Sequence, residues 1–436
     1  MKRKRARRAE AAARSHGGAM GAAAAAPGPA PPPGPAPPLG PAPPPASRLV
    51  LVLLGLLLLA SLLGRVVRLD RPAKPMFDEV YYVNAARVIL DAPRPADNPW
   101  AWHPPRLDPN VEHPPGGKLL LAASIRLLGD NPWGWRLPGA LLGVAAILVL
   151  FLLARRAGAP AAVALLAAFA YACDDLAFVH GRVATLDGPQ VAFMLAGLWA
   201  YLAGRPVLAG VGLVASALVK ITGLYGLAAL VALEALRWWR ARRTPGAWRL
   251  DALRPLLVTT VVFVVGYPLA LGALDLAWGV FKNPFEHLRY VLSYGYTLTT
   301  TGGSAAATSA PWQWLINQVP MLFHQEGGAT IRVAMNPLVV FATVPALAWA
   351  AIAARRRDDD VPFVVLALFA ACYLPYLPAA AAGRISYIYY FLPALPAVAL
   401  GAAALASATK VRVVPWLYAA AVLAGFAWRF PYRGGW

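Results

Sequence analysis

The residues best suited to chemistry are concentrated in Phe77-Asp78-Glu79-Val80-Tyr81-Tyr82, followed by Glu112-His113-Pro114-Pro115-Gly116-Gly117-Lys118. Both stretches lie between strongly apolar segments, where charge is costly to keep. A helix dipole favours an anion at its N-terminus and accounts for one carboxylate there. It does not account for two in a row. Neighbouring helical residues project about 100° apart, so Asp78 and Glu79 must face different partners and divide the work. His113, ahead of two prolines, reads either as a turn residue or as part of the same site. Cations complete the set. Arg136 stands at the mouth of an apolar segment and carries a planar guanidinium that can hold phosphate bidentately.

From Val80 to Asp91 the chain has no helix breaker, and Asn84, Arg87 and Asp91 fall opposite Tyr81, Tyr82, Ala85, Ala86 and Ile89. This spacing predicts an amphipathic helix in the membrane interface, with tyrosines at headgroup level. The segment from Ala92 to Pro114 reads as an irregular loop over a cavity, and a second short interfacial helix is expected from Lys118 to Leu128. Trp133 and Trp135 read as anchors at the interface.

These elements must sit in a membrane. The chain has 436 residues, 59% hydrophobic and 14% charged, which exceeds what a soluble core needs. At about 20 apolar residues per span, about eleven spans are expected, roughly 48–67, 136–154, 160–178, 188–203, 206–220, 222–238, 254–274, 336–354, 361–379, 387–407 and 412–429. The expected class is an all-α polytopic membrane protein with interfacial helices in the first outer loop. Residues 1–47, basic and then rich in Pro and Ala, are expected to be a disordered cytoplasmic tail, and 48–436 the membrane domain.

The formal net charge of +20 does not imply a nucleic-acid partner. Arg155-Arg156, Arg237 to Arg243, Arg355-Arg356-Arg357 and Lys410/Arg412 all fall on the tail's side, as the positive-inside rule requires. Long loops, roughly 68–135 and 275–335, then lie outside the cytoplasm together with the turns at His180 and Gly383. Arg182, Lys220 and Arg384 break the bias by standing at outer span ends, which suggests an anionic ligand or snorkelling to lipid headgroups. Cys173 and Cys372 have neither metal-ligand spacing nor a disulfide framework and read as small core residues.

In order along the chain, Phe77-Asp78-Glu79, His113-Pro114-Pro115-Gly116-Gly117-Lys118, Gly134-Trp135-Arg136, Gly181-Arg182 through Leu186-Asp187, Lys220 to Tyr225, Pro311-Trp312-Gln313-Trp314, Asn336-Pro337 and Arg384 to Tyr390 with Leu392-Pro393 resemble the protein O-mannosyltransferase family. The resemblance runs from about the first span to the end and implies the GT-C membrane fold. It also implies inverting transfer of mannose from a polyprenyl phosphate to Ser/Thr hydroxyls of secreted or membrane proteins at the outer face of the cell membrane. The second outer loop is too short for the β-trefoil domain of eukaryotic members, so the resemblance is to the bacterial type. His324-Gln325-Glu326 has no clear family counterpart; it reads as a surface turn, an acceptor contact or a metal ligand.

On this resemblance Asp78 is the expected base for the acceptor hydroxyl, and Glu79 orients the acceptor or a basic partner. Arg136 stabilises the leaving phosphate with help from Lys220 or Arg384, and His113 and Arg182 join them as substrate contacts. No nucleotide-binding glycine loop is present, consistent with a lipid-linked donor; no metal site is assigned, and a divalent cation is left open as a cofactor. Two alternatives use the same residues: transfer of another lipid-linked sugar to a lipid or glycan, and an ion-coupled transporter or lipid flippase. The second fits less well, because the acids lie in an outer loop rather than at mid-membrane.

Overall fold

Helices that alternate between lipid-facing and buried stretches make up most of the computed structural model, which describes residues 44–242, 250–297, 307–326 and 329–432. The tail expected over 1–47 lies outside the described residues up to position 43. Among the described residues the first element is α1 (Arg48–Val66), followed by α2 (Glu79–Leu90), α3 (Gly116–Leu128) and α4 (Pro132–Arg156). Next come α5 (Ala161–Ala172), α6 (Asp175–His180), α7 (Asp187–Leu202), α8 (Pro206–Val219) and, after a 3-10 turn, α9 (Tyr225–Ala241). Then follow α10 (Arg254–Trp278), α11 (Pro284–Thr297), α12 (Pro311–Trp314), β1 (Met321–Glu326), β2 (Ala329–Val333), α13 (Pro337–Val340) and α14 (Thr343–Ala353). The last elements are α15 (Val361–Tyr373), α16 (Tyr376–Ala381), α17 (Leu395–Ala408) and α18 (Val414–Arg429).

The protein is a multi-pass membrane protein. Among the described residues five helical stretches are long and apolar enough to cross unaided: Arg48–Val66, Pro132–Arg156, Ile221–Ala241, Asp251–Trp278 and Val361–Ala381. The remaining expected spans hold shorter helices. The one expected over 160–178 is broken: α5 stops at Ala172 and α6 restarts at Asp175. At 1.5 Å per residue a helix of this size covers about 18 Å of a roughly 30 Å hydrocarbon layer. Such a break is tolerated only where protein satisfies the freed backbone groups. Here Asp174 accepts from the amides of Leu176 and Ala177 at 2.9 and 3.3 Å, and Asn336 donates to the Cys173 carbonyl at 2.8 Å. The same amide donates to Val422 at 2.8 Å, so Asn336 ties the break to α18.

The helical class expected from the sequence is present, with one small addition: β1 and β2 pair antiparallel as a hairpin with a register shift between Leu322 and His324. His324-Gln325-Glu326 is thereby the end of a strand rather than an isolated turn. The polar side of α2 is not open to water. Asn84 and Arg87 are buried, and Arg87 forks onto Asp130 at 2.9 and 3.1 Å and donates to Asn84 at 2.7 Å. The Trp135 indole also donates to Asp130, at 2.7 Å. This joint fixes α2 against α3 and the start of α4, and with it the position of the residues that open α2.

Candidate active site

Local geometry separates the two acids at the start of α2. Phe77 holds a left-handed backbone with φ of 52°, a conformation that costs a non-glycine residue roughly 1–2 kcal/mol. Its ring stacks on Phe323 of the hairpin at 4.0 Å and meets Tyr389 edge-on at 5.7 Å. Directly after this turn Glu79 points inward and is fully buried. It accepts from Arg136 Nε and Nη2, both at 2.8 Å, from the Ala184 amide at 2.8 Å and from the Met76 amide at 2.9 Å. All its acceptor directions are taken.

Asp78 differs. It occupies the N-cap position of α2 without a side-chain capping bond, and among the described residues no hydrogen bond reaches its carboxylate. Burial pushes its pKa up to about 7; Lys220 pulls it down and Asp187 pushes it up. The Lys220 ammonium donates to Asp187 at 2.7 Å and lies 5.2 and 5.5 Å from the ring centroids of Tyr389 and Tyr390. Arg384 stands 5.8 Å from the Tyr390 ring, with a buried Nε that has no hydrogen-bond partner.

The His-Pro-Pro-Gly-Gly turn belongs to the same shell. A Cβ on Gly116 would lie 2.7 Å from the Leu218 carbonyl oxygen, so only glycine lets α3 start against the end of α8, two residues before Lys220. His113 is placed beside Lys220 as a result. Burial, then Lys220 and Lys118, hold its pKa well below the usual value, and its Nδ1 has no partner. Lys118 is not an interfacial side chain, as its sequence position suggests. It is fully buried, 2.6 Å from Asp108, and donates to the carbonyls of Asn110 and His113. Behind it His287 bridges Asp275 at 2.8 Å and the Val111 carbonyl at 3.1 Å.

The structure therefore brings together Asp78, His113, Lys220 and Arg384 and sets Arg136 and Arg182 apart. Arg136 is 1% exposed and uses all five of its N–H groups, on Glu79 and on the carbonyls of Leu69, Pro72 and Lys74. This does not fit the phosphate contact expected of it: it has no donor to spare and fastens the α1–α2 linker to α4. Arg182 donates to the carbonyls of Gly64, Arg65 and Arg68 and stacks on Tyr432 at 4.5 Å, capping the C-terminus of α1. Sequence reasoning left Asp187 and His180 without a role. Their signal was charge balance, since a lone Asp and a lone Lys in apolar surroundings need each other. Among the described residues no three His, Cys, Asp or Glu side chains are grouped to hold a metal ion.

The family model described as dolichyl-phosphate-mannose-protein mannosyltransferase matches residues 112–265, from Glu112 through Lys220 into α10. A polyprenol-phosphate-mannose–protein mannosyltransferase of Mycobacterium tuberculosis (strain ATCC 25618 / H37Rv) is 29% identical over 276 residues, which cover 61% of this chain and 49% of that protein. The chain thus matches about half the length of that relative. A protein of the same name from Mycolicibacterium smegmatis (strain MKD8) is 26% identical over 83% of this chain and 84% of its own. In fold, the chain is similar to the S. cerevisiae protein O-mannosyltransferase Pmt1-Pmt2 complex bound to the sugar donor, with a TM-score of 0.70 at 12% identity over 88% of this chain and 90% of that one. ArnT from Cupriavidus metallidurans bound to undecaprenyl phosphate follows with a TM-score of 0.52 at 18% identity, over 84% of this chain and 60% of that one. The GT-C fold expected from the resemblance is present, and the two bacterial relatives matched by sequence are named polyprenol-phosphate-mannose–protein mannosyltransferases.

Proposed function

We propose that this chain transfers mannose from a polyprenyl phosphate to a Ser or Thr hydroxyl of a protein, at the extracytoplasmic face of the cell membrane, with the N-terminus cytoplasmic. The observation that carries the reading is the contrast at the start of α2: Glu79 is saturated by Arg136 and two amides, whereas Asp78 beside it has no hydrogen bond among the described residues and a pKa of about 7. A base poised near the working pH is what a weakly nucleophilic hydroxyl needs. Asp78 takes the hydroxyl proton as the acceptor oxygen bonds to the sugar's anomeric carbon. The bond from that carbon to phosphate breaks with inversion, and its electron pair leaves on the polyprenyl phosphate. Lys220 and Arg384 are the cations left to stabilise that phosphate, and His113 lines the approach. Glu79, Arg136 and Arg182 are positioning residues that hold the α1–α2 linker.

The test is Asp78→Asn, measured as transfer of labelled mannose from polyprenyl phosphate to a Ser/Thr-rich peptide in membranes with matched expression. Insertion and donor binding are expected to be retained and transfer to fall about 10²- to 10⁴-fold, the usual worth of a general base. Near-normal transfer would remove Asp78 from the role. No transfer by the unmodified protein from any lipid-linked sugar would favour a transporter.

A further inference from the structure

Two buried groups near Lys220 and the wall behind Phe77 are not used by the mechanism above. His180, at the end of α6, is fully buried; its Nδ1 lies 2.9 Å from the Thr185 hydroxyl, while its Nε2 has no hydrogen-bond partner. Asp187, in the first turn of α7, gives Oδ1 to Lys220 at 2.7 Å and keeps Oδ2 buried and unpartnered. The two residues are brought together by backbone approach: a Cβ on Gly188 would lie 2.5 Å from the His180 carbonyl oxygen, so α7 starts against α6 only with glycine there. The His180 ring also borders the wall that backs the catalytic turn. It lies 5.5 Å from Phe323 and 5.7 Å from Tyr389, the two rings that hold Phe77.

A buried polar atom without a partner carries its full desolvation penalty, so two of them around the Lys220 ammonium point to a polar ligand that completes them. The chemistry of that ligand follows from the atoms. Oδ2 of a carboxylate accepts only, and its negative charge disfavours phosphate. An imidazole nitrogen donates or accepts according to tautomer. Hydroxyl groups meet both requirements: one donates to Oδ2, and it or a neighbouring hydroxyl accepts from Nε2, or a neighbouring one donates to it. An array of hydroxyls on a compact ring is a hexose.

We propose that His180 Nε2 and Asp187 Oδ2 form the subsite that reads hydroxyl groups of the donor's sugar, and so govern which hexose is transferred. The assignment rests on the glycosyltransferase reading of Asp78. It also gives Asp187 two tasks, one oxygen holding the ammonium of Lys220 and the other holding the sugar beside it.

The experiment pairs variants with donors. Full-length protein in nanodiscs is assayed with polyprenyl-phosphate mannose and with the 2-, 3-, 4- and 6-deoxy analogues. His180→Phe keeps a ring against Phe323 and Tyr389 but removes Nε2. It is expected to lower kcat/KM for the mannosyl donor by about 10- to 100-fold, the worth of one hydrogen bond to an otherwise unpaired buried group. With the one deoxy donor that lacks the contacted hydroxyl, it should match the unmodified protein. His180→Gln, whose amide reaches toward the same position, should restore part of the mannosyl rate. Asp187→Asn should alter the ranking among the deoxy donors. An equal loss on every donor, with no rescue by Gln, would overturn the subsite and leave His180 a packing residue. Absence of transfer by the unmodified protein would instead overturn the underlying reading, and the subsite with it.

Discussion

The pKa of Asp78, pushed up to about 7 chiefly by burial, makes the pH profile of transfer a direct test at the scale of single residues. Only the ionised carboxylate can take a proton, so transfer should rise with pH through an acid limb near 7. Lys220→Gln removes the cation that favours ionisation and should move that limb to higher pH. Asp187→Asn removes a repelling carboxylate and should move it lower. The stability sign is opposite to that of an ordinary ion pair. Because the folded-state pKa lies above the ordinary value, Asp78 contributes stability below the usual carboxylate range and loses it as pH rises through about 7. Asp78→Asn, which keeps a side chain of the same size and capping ability but no charge, should therefore raise the melting temperature at pH 8. A limb that stays fixed in both neighbouring variants would show that another group titrates. The acids themselves were legible, since two in succession exceed what capping needs. What each one does was not, because Glu79 meets Arg136, Ala184 and Met76 only once α2 and α4 have packed together.

Elements decide which cations remain available. Arg136 is read from sequence as the phosphate ligand because it opens a span, but its five donors are taken by a partner 57 positions away and by the carbonyls of the linker. Sequence position reports depth in the membrane and leaves out the loop that folds over it. Arg136→Ala leaves a buried carboxylate unpaired, and breaking such a pair costs about 3–5 kcal/mol. Its melting temperature should drop sharply in detergent, whereas Arg384→Ala should fold normally and lose donor affinity. Glu79→Gln belongs with Arg136→Ala, since an amide nitrogen cannot accept where the carboxylate oxygen does. If Arg384→Ala bound the donor normally while Arg136→Ala folded normally and did not, the two assignments would be exchanged. The hairpin is a case where a legible signal went unused. Met321-Leu322-Phe323 and Ile331-Arg332-Val333 flank a Gly-Gly pair, the pattern of a β-hairpin; its two glycines lie outside the described residues. Its consequence for the site is Phe323, which packs on both Phe77 and His180.

Across the whole molecule the arginine clusters on which the proposed orientation rests also have structural partners. Arg237 donates to Glu234 and to Asp360 at 2.5 and 2.6 Å, and Arg240 reaches Asp360 at 3.1 Å and the carbonyls of Arg357, Asp358 and Asp359. This network joins the end of α9 to the start of α15, on the face opposite Asp78 in the proposed topology. That topology is proposed from charge counting in the sequence, while the acidic run 358–360 that holds the arginines was invisible to a rule that counts only Lys and Arg. Orientation is testable without a tag that would disturb the network. Both native cysteines are buried, so single cysteines can be introduced at Trp102, 78% exposed in the first outer loop, and at the exposed Arg356. A membrane-impermeant maleimide should label Trp102→Cys in intact cells, and Arg356→Cys only after the membrane is opened. Labelling of the native chain in intact cells should be negligible. The reverse pattern would put the carboxylates of α2 on the cytoplasmic side, where a base for acceptors outside the cytoplasm has no substrate to act on, and the proposed function would fall with the topology.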